Sequence, residues 1–157
     1  MEKRPDAFRQ LKGVHLALLG IITAITIAAI ILLQMGFAVN KNETLDRTLQ
    51  TVLVLLALIS IVTGFNLFRK KILQARALNA PGELRMLQYR KACTVWWLMI
   101  VLPGIFAASG FLITGNYAFL ALTVFLISVL AIFMPRKQNI ILLLNLTDAE
   151  VARLEGK

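Results

Sequence analysis

One cysteine and one histidine are all the soft or imidazole ligands that the chain offers. Cys93 alone excludes an intramolecular disulfide and cannot build a thiolate metal site. It falls near the start of the third apolar run and reads as a buried or lipid-facing bystander. His15 has no second His, acid or usable Cys close to it in sequence, which excludes a local metal set or triad. Three residues after Lys12, it reads as a hydrogen-bonding residue at the edge of the first apolar run, the alternative being a proton-handling one.

Acids are scarce too, with eight Asp and Glu against seventeen Lys and Arg. None of these charges lies deep in a long apolar run. An ionisable group placed inside a membrane at a cost is the usual mark of catalysis or coupled transport. Its absence here leads to a non-enzymatic reading: no catalytic, cofactor-binding or metal-binding residue is assigned, and no cofactor is expected. A formal charge of +9 would make nucleic acid the first partner to consider for a soluble chain. The basic residues instead sit between apolar blocks, and no motif of the usual nucleic-acid modules is present. The expected partner is therefore a bilayer with anionic headgroups on the cytoplasmic side.

What the chain has is apolar length. Hydrophobic residues make up 59% of its 157 positions, with a mean hydropathy of +0.77, against about 45–50% apolar in a soluble domain. They arrive in long blocks, which points to lipid as the solvent. After a polar segment at 1–13, residues 14–37 run for 24 positions without an acid, Lys or Arg. That is too long for the apolar core of a cleavable signal, so an uncleaved anchor helix is expected. Spans are expected at 14–37, 48–68, 92–114 and 117–134, giving an all-α, four-helix transmembrane bundle. The last span, at the lower length limit, should run with little tilt.

Between the spans, 38–47 is a mixed-charge loop in which Asn42, Glu43 and Thr44 match a glycosylation sequon. The segment 69–91 holds seven basic residues and one acid, Glu83. Pro81 and Gly82 suit the centre of a type II turn between two short helical extensions of the flanking spans. Gly115 and Asn116 make a tight turn between the last two spans. In the tail, 135–157, the apolar run at 139–146 is too short to cross and should lie in the interface or dock under the bundle. Thr147 and Glu150 have capping-box spacing, so a short helix should begin at Asp148.

Lys and Arg number four in 1–13, seven in 69–91 and four in 135–157, with only Lys41 and Arg47 elsewhere. This bias puts both termini and 69–91 in the cytoplasm, and makes two helical hairpins that repeat in parallel. Trp96 and Trp97 would mark the cytoplasmic interface and Tyr117 the outer one.

Within the spans, small residues recur at helical spacing: Gly20, Ala24 and Ala28, then Ser60 and Gly64, then Gly104 and Ala108. They are expected to let helices of the same chain pack closely, with a homodimer seam as the alternative. Pro103 should kink the third span to accommodate a neighbour, or else open a small cavity. Asn66 is read as a packing residue rather than a pore or substrate contact.

The stretch from Arg90 through Leu146 carries Leu102-Pro103-Gly104, the Leu112-Ile113-Thr114-Gly115-Asn116 turn, Pro135-Arg136-Lys137, Ile140-Ile141 and Asn145-Leu146. In these it resembles a group of uncharacterised four-span inner-membrane proteins of Gram-negative bacteria. The resemblance implies location and architecture, and brings no established activity with it. The expectation is a small structural or accessory membrane subunit, alone or as a homo-oligomer or in a larger membrane complex; the alternative is a small oligomeric channel or transporter.

Overall fold

The computed structural model describes residues 6–37, 43–77 and 80–155, and over these it is all-helical. The elements are α1 (Ala7–Gln34), α2 (Glu43–Ala77), α3 (Gly82–Thr114), α4 (Tyr117–Ile132), α5 (Lys137–Leu144) and α6 (Asp148–Leu154). Three of them are long and apolar enough to cross a membrane, and up to four spans result if α4 and α5, bent by 68°, count as one.

The first three helices begin earlier than the apolar runs, α1 because a polar residue supplies its cap. Asp6 accepts hydrogen bonds from the Phe8 and Arg9 N–H groups at 2.9 and 3.2 Å, so α1 starts well inside the polar segment. Glu43 and Asp46 occupy the first turn of α2, where acids favour the positive end of the helix dipole. Helix thus replaces half of the loop expected at 38–47; residues 38–42, including the sequon's Asn42, lie outside the described residues. Pro81 is the N-cap of α3 and Gly82 its first residue. The expected type II turn does not centre on them, and 78–79 fall outside the description. Gly82 is needed for closeness: a Cβ there would meet the Glu150 side chain at 3.0 Å. At the other end of α3, Gly115 adopts φ 68° and stops the helix, and Asn116 caps α4.

α4 is shorter than the expected 117–134. Its 16 residues span about 24 Å, less than the ~30 Å of a hydrocarbon core.

α3 is the hub. α1, α2 and α4 each pack along it, whereas the consecutive α1 and α2 make no extensive contact with one another. The stripe Leu53, Ala57, Gly64, Ile72 and Ala75 turns α2 toward α3. A Cβ on Gly64 would press on Trp96 and Met99 at 3.0 and 3.1 Å. On another side of α3, one added to Gly104 would overlap the Ile22 Cδ1 methyl of α1. The space beside Pro103 and Gly104 is thus filled by a neighbouring helix.

The stripe on α1 behaves differently. Gly20, Ala24 and Ala28 lie on its exposed face, and nothing stands within 4 Å of a Cβ built on Gly20. The close packing expected there within the chain is not what the fold uses.

Candidate functional site

α1 and α3 begin, and α2 and α4 finish, at the same end of the molecule, where α5 and α6 also dock. The docking is specific. Ile140 and Leu144 of α5 and Leu154 of α6 are buried, while Leu142 remains 75% exposed. Arg85 on α3 clips the corner between the two short helices: Nη1 donates to the Leu144 and Asn145 carbonyls at 2.6 and 3.1 Å, and Nη2 donates to Glu150 Oε1 at 2.6 Å. Asn145 holds φ 50° to make that corner, a conformation asparagine tolerates better than most residues.

Glu150 has a second task, because its other carboxylate oxygen accepts the Thr147 N–H at 2.9 Å and closes the capping box of α6. That backbone bond first, opposed next by burial and reinforced by Arg85 and the Thr147 hydroxyl, holds the Glu150 carboxyl down to about 2. Lys137 and Glu155 form a second ion pair between α5 and α6.

Beneath this clip lies an aromatic group that the sequence places differently. Trp96 and Trp97 are buried, so neither presents its ring to the headgroup region. Trp96 stacks on Phe68 and meets Phe65 and Phe133 edge-on. Trp97 meets the His15 ring at 4.8 Å and 64°. His15 is fully buried and neither ring nitrogen has a hydrogen-bond partner among the described residues, against its reading as a hydrogen-bonding residue at the edge. Cys93 is buried in the same cluster. Tyr89 is buried there as well, its ring edge-on to Phe68 at 6.2 Å. Tyr117, at the other end, is 72% exposed and lies tilted against the Phe111 ring at 5.6 Å.

Three grooves surround the cluster. One of about 300 Å³ runs beside the aromatic group, with Tyr89, Trp96, Arg136 and Asn139 on its walls. Another, about 310 Å³, lies between α2 and α5 with Arg69 and Arg76 at its edge. A third, about 450 Å³, lies where α4 breaks into α5, among Arg9, Lys12, Arg136 and Lys137. None of these was legible in the sequence, since each is assembled from helices far apart in the chain.

Five hydroxyls along the spans are engaged within their own helix. The hydroxyls of Thr26, Thr94, Ser109, Thr123 and Ser128 each donate to the carbonyl four residues earlier, at 2.7–3.0 Å. Asn66 is exposed on the outer face of α2 and does not pack between helices of this chain. Among the described residues no group of three or more His, Cys, Asp or Glu comes together. Compared with protein-family models, with curated proteins and with solved structures, the chain matches none.

Proposed function

We propose that this chain is a four-span bacterial inner-membrane protein, with both termini cytoplasmic, that acts as a non-enzymatic structural or accessory subunit. Its four spans form two hairpins of like orientation around α3, and the docked α5 and α6 lie on the cytoplasmic side. The fifteen-to-two distribution of Lys and Arg supports this orientation. The observation that carries the functional reading is the fate of the hydroxyls. Each of the five named above gives its one proton to its own helix, which supports a packing role for these hydroxyls over donation to a substrate.

Self-association is part of this reading. The exposed stripe of Gly20, Ala24 and Ala28 on α1 offers a second copy the close backbone approach that lipid-embedded helices use in place of a hydrophobic driving force.

Purified chain in liposomes tests the activity reading: flux of ions and small solutes should equal that of empty vesicles. Reporter fusions after Lys157 test the orientation, and a periplasmic signal there would overturn it. A channel or transporter formed between subunits is the second reading, favoured by Thr63 and Asn66, polar groups on the outward face of α2. Flux above the empty-vesicle level, lost on Asn66→Leu, would establish it instead.

A further inference from the structure

We propose that the groove at the break between α4 and α5 binds the phosphodiester headgroup of an anionic glycerophospholipid, with Arg9, Lys12 and Arg136 as its cationic rim. The inference rests on the membrane reading above and adds a particular site and ligand class to it.

The geometry of the fourth helix brings the headgroup here. α4 stops at Ile132, after 16 residues, and its ~24 Å cannot cover a ~30 Å hydrocarbon core. A span that is too short thins the bilayer beside it or is met by interfacial residues. The chain then turns by 68° into α5, so the first cations after α4, Arg136 and Lys137, stand where headgroups are drawn in. Lys12 and Arg9 of α1 reach the same groove from the other side.

Charge in the groove is not cancelled. Asp6 lines it and keeps its charge while accepting the Phe8 and Arg9 N–H groups, so the cations exceed the one acid in the lining. Lys137 is paired with Glu155 and lies 5.9 Å over the Phe8 ring. Arg9, Lys12 and Arg136 have no side-chain ion pair with any of the described residues. Three cations converging on one concavity from α1 and from the turn before α5 recruit a phosphodiester far better than three scattered on a face.

The floor argues for a lipid over a small anion. Phe8, Met134, Pro135 and Ile140 make it apolar, and a free phosphate would gain nothing from them. A glycerol backbone and the first methylenes of an acyl chain would. Its volume, about 450 Å³, suits a headgroup rather than a whole lipid, whose chains would continue along exposed Ile132 and Phe133.

The test uses the full chain in phosphatidylcholine nanodiscs, to which phosphatidylglycerol is added and from which retained lipid is counted by native mass spectrometry. Wild type should retain phosphatidylglycerol over phosphatidylcholine, and the triple variant Arg9→Gln, Lys12→Gln, Arg136→Gln should lose that preference about tenfold. Lys71→Gln with Lys91→Gln, from a different groove, should leave it within about twofold. Equal retention by the triple variant overturns the proposal, and so does equal loss by the double variant, which would mean general attraction to the surface. Displacement of the lipid by millimolar inorganic phosphate would make the site one for the free anion. A chain that never enters the nanodisc fails the membrane reading itself, seen before any anionic lipid is added; one that enters and retains none fails this inference alone.

Discussion

Arg85 and Glu150 meet at 2.6 Å across 65 positions of sequence, and through this contact α3 holds the tail. The same guanidinium covers the last carbonyls of α5, which have no partner within their own helix. Arg85→Gln should therefore release α5 and α6 together, at a cost of about 1.5–3 kcal/mol for a charge-assisted contact. Hydrogen exchange over 137–155 should rise while exchange in α3 stays as it was. Unchanged protection of the tail would mean that Ile140 and Leu144 suffice to dock it.

The Glu150 carboxylate, held first by the Thr147 N–H and then by Arg85, is sensitive to acid with a definite sign. Folding depresses the Glu150 carboxyl to about 2 from 4.5, so the folded state prefers the ionised form. Its contribution is fully present above about pH 4.5 and is lost as the pH falls toward 2. Tail protection measured between pH 6 and pH 2 should fall in that window, and Glu150→Gln should flatten the response.

Gly104→Ala should destabilise the bundle by about 1–3 kcal/mol, the cost of overpacking, because the new methyl overlaps Ile22 Cδ1 inside a fully buried site. Ile22→Val removes that methyl and should recover most of the loss in the double variant. Thermal unfolding in detergent gives both numbers, and additive losses in the pair would show that the two residues do not press on each other.

Gly20→Leu with Ala24→Leu makes the opposite prediction about stability. Open space surrounds Gly20, so unfolding should be unchanged within about 0.5 kcal/mol. Cross-linking between copies in native membranes should drop sharply if α1 is the seam. Persistence of the cross-link would place self-association elsewhere.

At the end remote from the tail, Asn116 donates from Nδ2 to Asp46 at 2.8 Å and accepts the Ala118 N–H at 2.9 Å. Asn116→Ala should lose the cap of α4 and strand the Asp46 carboxylate, for about 0.5–2 kcal/mol from the cap alone. Asn116→Asp should be worse than Asn116→Ala although it keeps the cap, since it sets one carboxylate against another. Unfolding of the two variants in detergent orders them.

How far local reading goes is visible in these residues. Gly115 and Asn116 terminate and restart helices through their own backbone preferences, and the Thr147 and Glu150 box closes within one turn, so both could be read directly. The small-residue stripes could not be assigned. Gly104 with Ala108 and Gly20 with Ala24 have the same spacing, yet the first pair is buried against α1 and α4 while the second faces outward. Spacing defines a face; only a neighbour gives it a direction. Trp96, Trp97 and His15 depart from what their place in the sequence suggests for a related reason. Each lies near the basic boundary in sequence, but depth along a helix says nothing about rotation around it, and rotation turned all three inward.

By itself the amino-acid sequence determined that the chain is helical, where its apolar runs lie, how its turns are made and where its positive charge accumulates. These are properties of consecutive residues: hydropathy over about 20 positions, capping, and charge between blocks. Tertiary structure alone decided that α3 is the hub, that α4 stops short and bends, that the tail is clipped by Arg85, and that Arg9, Lys12 and Arg136 share one groove. Those arrangements depend on contacts between helices far apart in the chain, and van der Waals packing within lipid, which supplies no hydrophobic preference for one apolar face over another, leaves little trace in local pattern.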